Sequence, residues 1–278
     1  MTRPAFSVRA LFGLILSLAL LALPAAAADR SKVQAFLKVT GFDVALESIK
    51  LSAEDAPRML DLDAQDFGAS WTLMSRDVFD VQEMQSDAVN ILEQALSDEA
   101  LAHGAEFYAS DLGQRLVEAE NSSHMRDRDD KRDEGGRLLA EMQENEPERL
   151  ELLERMLDAI GSEEQGLRAA NELEVRFLMA AQQAGVIRLR VDEQGLRAAQ
   201  AENAEETMEA MRIAGLASSA ATYQDFTNDE IEAYAEALEA PLMQEVYELM
   251  NAVQFEIMAD RYEEVASRLA ELNPGQEL

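Results

Sequence analysis

Cysteine is absent from the 278-residue chain, and histidine occurs only twice, at His103 and His124. A chain without cysteine cannot form disulfides, attack a substrate with a thiolate or carry a lipid on an N-terminal cysteine. Ordinary zinc sites need several cysteine or histidine ligands close together, so we expect no metal site. The folded chain must therefore be stabilised by packing.

Basic residues are scarce as well. The sequence has 24 lysines and arginines against 55 aspartates and glutamates, for a formal net charge of −31. Nucleic acids and anionic membrane surfaces would repel such a chain, so we expect no nucleic-acid partner. The acidity fits a general need for solubility, and it also fits a cationic partner or divalent cations. The sequence leaves both explanations open.

Glycine and proline are sparse, at 13 and 6 residues, and alternating apolar and polar runs are nearly absent. Apolar residues recur instead at helical spacing, which predicts an all-α fold, a helical bundle of about ten helices. The segment Val186–Val191 does alternate after Gly185. A single strand would have no pairing partner, so we interpret it as an extended connector or a helix edge.

The first 28 residues have the pattern of an export signal. Arg3 and Arg9 precede an apolar run, Leu11–Leu23, and small residues follow at Pro24–Ala28. The apolar run is shorter than the roughly 20 residues that span a bilayer. We expect cleavage after Ala28 and no stable membrane insertion of the mature chain; the alternative is an uncleaved N-terminal anchor. Abundant alanine and arginine with little lysine suggest a GC-rich bacterium, and hence the periplasm.

Two segments of the chain, 96–121 and 226–251, are alike at a separation of 130 positions. They share 6 identities in 26 pairs, including Glu106 with Glu236. Ser97 and Thr227 stand at matching positions as N-caps, each before an acidic first turn and an apolar stripe. This pattern predicts two related helical units, 29–121 and 150–278, joined by a charged linker or helix at 122–149.

A helix corner is predicted within each copy. Pro241 interrupts the apolar stripe of the second copy, and proline is costly inside a helix but favourable in its first turn. At the matching position of the first copy, Asp111 follows Ser110, a good N-cap. We therefore predict a helix, a tight corner and a second helix in each unit.

The corner of the first copy resembles a known family. Phe107–Gly113 is similar to the Phe-Tyr-x-Ser-Pro-Leu-Gly motif of an exported bacterial family, domain of unknown function 2059. Asp111 replaces the family's proline here; the second copy has Pro241 but carries Ala240 for the serine and Met243 for the glycine. The resemblance implies an all-helical envelope protein and no known activity.

No catalytic motif accompanies this pattern. The sequence lacks a Gly-x-Ser-x-Gly elbow, a phosphate-binding loop and a dinucleotide fingerprint, so we assign no catalytic or cofactor-binding residue. A carboxylate-based hydrolase of envelope polymers stays an alternative, with Glu106 or Glu236 as the acid. It would need one of these carboxyls in an apolar pocket with a raised pKa.

Our leading hypothesis is a non-enzymatic periplasmic protein that binds an envelope protein or a peptide through an apolar groove at the helix corners. A second alternative is a chaperone-like holdase, in which the 13 methionines would line adaptable surfaces. The candidate groove residues are Phe107, Tyr108, Ser110, Leu112, Gly113, Leu238, Pro241 and Leu242.

Overall fold

A computed structural model describes residues 29–161 and 163–272. Within these residues the regular structure is helical and no β-strand occurs, which confirms the predicted all-α fold. The predicted signal peptide, residues 1–28, lies outside the described residues. No helix in the described ranges is both long and apolar enough to cross a membrane.

The first half of the chain forms seven α-helices and two short 3-10 helices. Gly41 ends the first α-helix in the left-handed conformation, with φ of 76°, which glycine adopts without strain. The α-helices are α1 (Arg30–Thr40), α2 (Phe42–Ser48), α3 (Asp55–Arg58), α4 (Gly68–Val78), α5 (Val81–Ala95), α6 (Asp98–Tyr108) and α7 (Asp111–His124), and the 3-10 helices are Ile49–Ser52 and Ala64–Phe67.

The pattern of apolar residues over 70–94 predicts one helix, and this prediction is wrong. The segment is two helices, α4 and α5, because Asp80 acts as an N-cap and accepts a hydrogen bond from the backbone N–H of Glu83. Phe79, just before this cap, is 3% exposed and edge-on to Tyr262 at 6.2 Å between ring centroids. The break therefore turns an aromatic side chain into the core.

The second half also forms seven α-helices, so the described residues contain fourteen, against about ten predicted. Residues 184–192 form an irregular connector between helices, as expected for Val186–Val191. The helices are α8 (Arg128–Asn145), α9 (Pro147–Ile160), α10 (Glu163–Gln183), α11 (Glu193–Glu202), α12 (Ala204–Thr222), α13 (Asn228–Leu238) and α14 (Pro241–Leu269).

The mixed-charge segment 122–149 is mostly helix. Asp127 caps α8 and accepts hydrogen bonds from the backbone N–H groups of Asp129 and Asp130. Further along α8, a β-carbon at Gly135 would lie 2.2 Å from the carbonyl oxygen of Ala217 on α12. Only glycine permits so close an approach, so α8 packs directly on α12 rather than forming a solvated hinge.

Both predicted corners are present. The helices α6 and α13 each contain 11 residues and begin after the caps Ser97 and Thr227, and Thr227 forms a full capping box with Glu230. The next helices begin after Ser110 and Ala240, with Pro241 in the first turn. Since α7 has 14 residues and α14 has 29, the likeness is local to the corners, and the relation of the two units stays a prediction.

Helix α14 lies at the centre of the fold, where it contacts α4, α5, α6, α9 and α10. It buries residues on more than one face, among them Val246, Val253, Ile257 and Val265. Apolar residues from α1 through α14 thus form one core. The core places α7, α9, α10, α12 and α14 around two cavities.

Candidate functional site

The eight residues predicted to form the groove divide into three groups by exposure. Tyr108 and Leu238 are 0% and 1% exposed, so both are core side chains rather than the wall of an open groove. Of the eight, Tyr108, Gly113 and Leu238 are buried, Phe107, Leu112 and Leu242 are half-buried, and Ser110 and Pro241 are exposed.

The motif at Phe107–Gly113 builds the corner between α6 and α7. The Ser110 hydroxyl accepts a hydrogen bond from the backbone N–H of Gly113 at 3.0 Å and so caps α7. A β-carbon on Gly113 would lie 2.3 Å from the carbonyl oxygen of Phe107, so the corner closes only with glycine there. The serine and the glycine are thereby explained by backbone packing.

The aromatic residues of this corner join a buried tyrosine cluster. Phe107 stacks on Tyr234, with ring centroids 5.7 Å apart and planes 7° apart. The hydroxyls of Tyr108 and Tyr234 are 2.9 Å apart, as are those of Tyr234 and Tyr247, and Tyr108 also contacts Tyr247. With Tyr223, four of the five tyrosines of the chain meet at one place.

Glu120 on α7 supplies the carboxylate of this cluster. The hydroxyls of Tyr223 and Tyr234 both donate to its Oε1, each at 2.8 Å. Burial raises the pKa of Glu120 to about 6, against the lowering effect of these two hydrogen bonds. Burial and the nearby Glu120 charge raise the pKa of Tyr223 and of Tyr234, so both phenols stay protonated.

The number of available protons decides how many of the contacts in the tyrosine cluster can be hydrogen bonds. Five oxygen–oxygen contacts join Glu120, Tyr108, Tyr223, Tyr234 and Tyr247, but the four phenols bring only four protons. With Glu120 ionised, one contact therefore has no proton. With Glu120 protonated, there are five protons for the five contacts. Glu120 then donates to Tyr234, and Tyr234 donates to Tyr247. The protonated form of Glu120 can therefore complete the network, while the raised pKa itself comes from burial.

Sequence reasoning missed Glu120, although a signal was available. Leu112, Leu116 and Glu120 follow one another at a spacing of four on α7, which places a carboxylate on the apolar face. The acids considered from the sequence, Glu106 and Glu236, are both exposed, so neither lies in the apolar pocket that the hydrolase hypothesis requires. A buried carboxyl is present instead at Glu120, whose pKa is raised by burial.

A small cavity of about 270 Å³ lies beside the tyrosine cluster. Asn121, next to Glu120 on α7, also lines it; its side-chain oxygen is buried against Gly41 and has no hydrogen-bond partner among the described residues. Basic residues contribute to the same wall. The polar lining residues include Glu120, Asn121, His124, Lys131, Tyr223, Tyr234 and Tyr247.

A larger groove of about 840 Å³ runs between α9, α10, α12 and α14. Leu157, Ile160, Gly215 and Asn251 border both the groove and the small cavity, so the two adjoin. The groove is lined mainly by apolar and small residues, among them Leu157, Ile160, Gly166, Ala169, Met211, Gly215, Ala252 and Phe255.

The rim of the groove is acidic, because both of its arginines are already paired. Arg176 donates to Glu256 at 3.1 Å and to Asp260 at 2.6 Å, and Arg212 pairs with Glu154 at 3.1 Å. The carboxylates that line the groove are Glu154, Asp158, Glu163, Glu172, Glu248 and Glu256, six acids against two arginines. A cationic group at this rim would therefore meet excess negative charge.

Comparison with known proteins finds a family resemblance over part of the chain. Residues 82–141 match the DUF2059 family. The family is described as an uncharacterized protein conserved in bacteria, and the match confirms the resemblance seen at the corner motif. The matched stretch runs from α5 into α8 and carries Tyr108, Gly113, Glu120 and Lys131. No curated protein and no solved structure matches the chain significantly.

The remaining functional expectations concern metals and methionines. In residues 29–161 and 163–272, no three histidine, aspartate or glutamate side chains converge where they could hold a metal ion. Six methionines are buried in the core: Met74, Met84, Met142, Met156, Met243 and Met250. Met125 is 41% exposed, and five more methionines of the described residues are half-buried: Met59, Met179, Met208, Met211 and Met258. The holdase alternative stays a prediction.

Proposed function

We propose that this protein is an exported, non-enzymatic bacterial envelope protein that binds a basic amphipathic helix of a partner protein or peptide in the groove between α9, α10, α12 and α14. The observation that carries the proposal is the combination of an apolar floor and an acidic rim in one open groove. Export rests on the signal-like pattern of residues 1–28, and the family match supports a bacterial origin.

The floor of the groove suits a helix. Its volume of about 840 Å³ lies within the usual range for ligand sites. The half-buried side chains of Phe255 and Met211 offer apolar contact, and the exposed Ala252 adds a small side chain to the same wall. An amphipathic helix that lays its apolar face into such a groove is a common mode of peptide recognition.

The charge of the rim selects the polar face of the partner. Asp158 and Glu248 line the groove and have no ion-pair partner among the described residues. Lysines and arginines that flank the apolar face of a bound helix would lie close to these carboxylates. Long-range attraction by a chain of net charge −31 would also speed the encounter, more so at low salt.

The groove is tested by filling it. A fluorescently labelled amphipathic helical peptide of leucine and lysine is titrated with the mature protein, and anisotropy is measured. Ala252→Trp, at an exposed position on α14 inside the groove, should raise the Kd at least ~10-fold, equivalent to about 1.4 kcal/mol. Ala102→Trp, at an exposed alanine of α6 outside the groove, is the matched control.

Two further measurements distinguish the contribution of the apolar floor to peptide binding from that of the acidic rim. Phe255→Ala should weaken the peptide by about 1–3 kcal/mol, because it removes a half-buried ring from the contact surface. A peptide of the same pattern with glutamate in place of lysine should bind much more weakly than the basic one. If Ala252→Trp binds the basic peptide as well as the unaltered protein does, the groove is not the docking site.

Export has its own test. Protein recovered from the periplasm of a bacterial host should begin at Asp29 when its N-terminus is sequenced, because the predicted cleavage follows Ala28. Recovery of the full-length chain in the membrane fraction would support the uncleaved anchor instead.

A further inference from the structure

The small cavity holds polar groups of opposite sign that the described residues leave unpaired. The Asn121 side-chain oxygen is buried and accepts no hydrogen bond. Glu120 accepts both of its hydrogen bonds on Oε1, and its Oε2 receives none from the described residues. Lys131 is half-buried and forms no ion pair in the described part of the chain, although acidic residues outnumber basic ones more than two to one. Leaving such groups unpaired costs free energy, so a ligand that pairs them would be stabilised.

Glu120 and Lys131 line the same cavity but are too far apart to pair with each other. Glu120 and His124 are four residues apart on α7, so their side chains lie on one face about one helical turn, ~5–6 Å, apart. Lys131 belongs to the early turns of α8, which follows α7 after a short link, and it lines the cavity together with His124. The ammonium of Lys131 is beyond ion-pair distance of Glu120, since no bridge joins them.

We propose that this cavity binds a small zwitterion that carries an ammonium and a carboxylate, the chemical class of the amino acids. The ammonium donates to Oε2 of Glu120, beside the tyrosine rings. The carboxylate accepts from Lys131. The two charged groups that the described residues leave unpaired, Glu120 Oε2 and Lys131, then each have a partner of opposite charge.

The size of the cavity fits this class. Its volume of about 270 Å³ is below the range of about 300–1,000 Å³ that is usual for sites of drug-sized ligands. A simple amine would leave Lys131 without a partner, and a simple carboxylate would bring a further anion to the wall that holds Glu120. A ligand with both charges avoids both costs, so binding should need both ends.

The test uses four probes with the same number of carbons. Isothermal titration calorimetry of the mature protein is performed with 6-aminohexanoate, L-norleucine, n-hexylamine and hexanoate at neutral pH. We expect one of the two zwitterions to bind at least ~10-fold more tightly than either single-charge probe, a difference of about 1.4 kcal/mol. Which zwitterion binds reports the spacing between the two charged ends. Equal or tighter binding of n-hexylamine or hexanoate, or no binding of either zwitterion, overturns the proposal.

Variants locate the site. Glu120→Gln and Lys131→Met should each weaken the bound zwitterion at least ~10-fold, because each removes one charged end. Glu118→Gln and Lys32→Gln, at exposed positions, are the matched controls and should bind as the unaltered protein does. Thermal melts show that the variants are folded before they are titrated. Unchanged binding by both Glu120→Gln and Lys131→Met would exclude this cavity.

This inference is independent of the peptide groove. Ala252 lines the groove and not the small cavity, so Ala252→Trp should leave zwitterion binding intact. Loss of peptide binding together with retained zwitterion binding would establish two sites. Loss of zwitterion binding in Ala252→Trp would place the zwitterion in the groove and overturn the assignment to the cavity.

Discussion

Replacing Glu120 by glutamine should stabilise the protein at neutral pH. Burial raises the pKa of Glu120 from its ordinary value of 4.5 to about 6, so the folded protein holds this proton more tightly than the unfolded chain. The stabilisation from the bound proton is complete below about pH 4.5 and is lost as the pH rises through about 6. Above that pH the folded state bears the cost of an ionised carboxylate among buried phenols.

The size of the pKa shift of Glu120 sets the size of the expected change in stability. A difference of about 1.5 pKa units corresponds to about 2 kcal/mol, since one unit equals 1.36 kcal/mol. Partial exposure of Glu120 to the cavity makes this an upper value. Glutamine keeps an acceptor for Tyr223 and Tyr234 and carries no charge. Glu120→Gln should therefore gain about 1–2 kcal/mol at about pH 8, or several degrees in Tm.

The assay is urea unfolding followed by far-UV circular dichroism, at constant ionic strength, from about pH 4.5 to about pH 8. The informative quantity is the free energy of unfolding of Glu120→Gln minus that of the unaltered protein, because other carboxylates titrate equally in both. This difference should grow as the pH rises through about 6. Glu118→Gln, at an exposed position on the same helix, is the matched control. A difference for Glu120→Gln that does not change with pH, or a loss of stability at about pH 8, would refute the reasoning.

Three further substitutions test the corner and the cluster. Gly113→Ala should destabilise the protein by about 1–3 kcal/mol in thermal or urea unfolding, because the new β-carbon would lie 2.3 Å from the Phe107 carbonyl oxygen. Gly136→Ala is the control: it has open space around it and should be neutral or stabilising by up to ~1 kcal/mol. Tyr234→Phe removes a hydroxyl that donates to the Glu120 carboxylate, so it should lower the free energy of unfolding by about 1–3 kcal/mol and raise the pKa of Glu120 further. Carboxyl NMR titration measures this pKa. An unchanged pKa would show that the hydroxyl does not stabilise the ionised carboxylate. Thr227→Ala should cost about 1 kcal/mol, measured by urea unfolding, because it removes the cap of α13; a neutral result would contradict the role of the capping box.

The tyrosine cluster also gives the aromatic pair Phe107 and Tyr108 a packing role. Phe107 stacks on Tyr234, and Tyr108 reaches the hydroxyls of Tyr234 and Tyr247, so the corner of α6 is held against α13 and α14. Ser110 and Gly113 shape the corner, and Phe107 and Tyr108 join it to α13 and α14. The unpaired polar groups lie further along α7, at Glu120 and Asn121, and on α8, at Lys131.

The sequence by itself determined the helical class and the local corners. Ser97, Ser110 and Thr227 cap their helices through hydrogen bonds to N–H groups within three residues, and Pro241 starts a helix through its own fixed φ. Such effects depend on near neighbours in the chain, so they can be recognised without the fold. The same reasoning failed at Asp80, where an apolar run on both sides concealed a cap that turns Phe79 into the core.

Only the tertiary structure decided the sites. Glu120 meets Tyr234 across 114 positions, and Tyr108 meets Tyr247 across 139, so no local pattern could bring them together. The groove likewise requires the crossing of α9, α10, α12 and α14. Burial sets both the raised pKa of Glu120 and the unpaired state of Asn121, and burial is a property of packed helices rather than of any one segment.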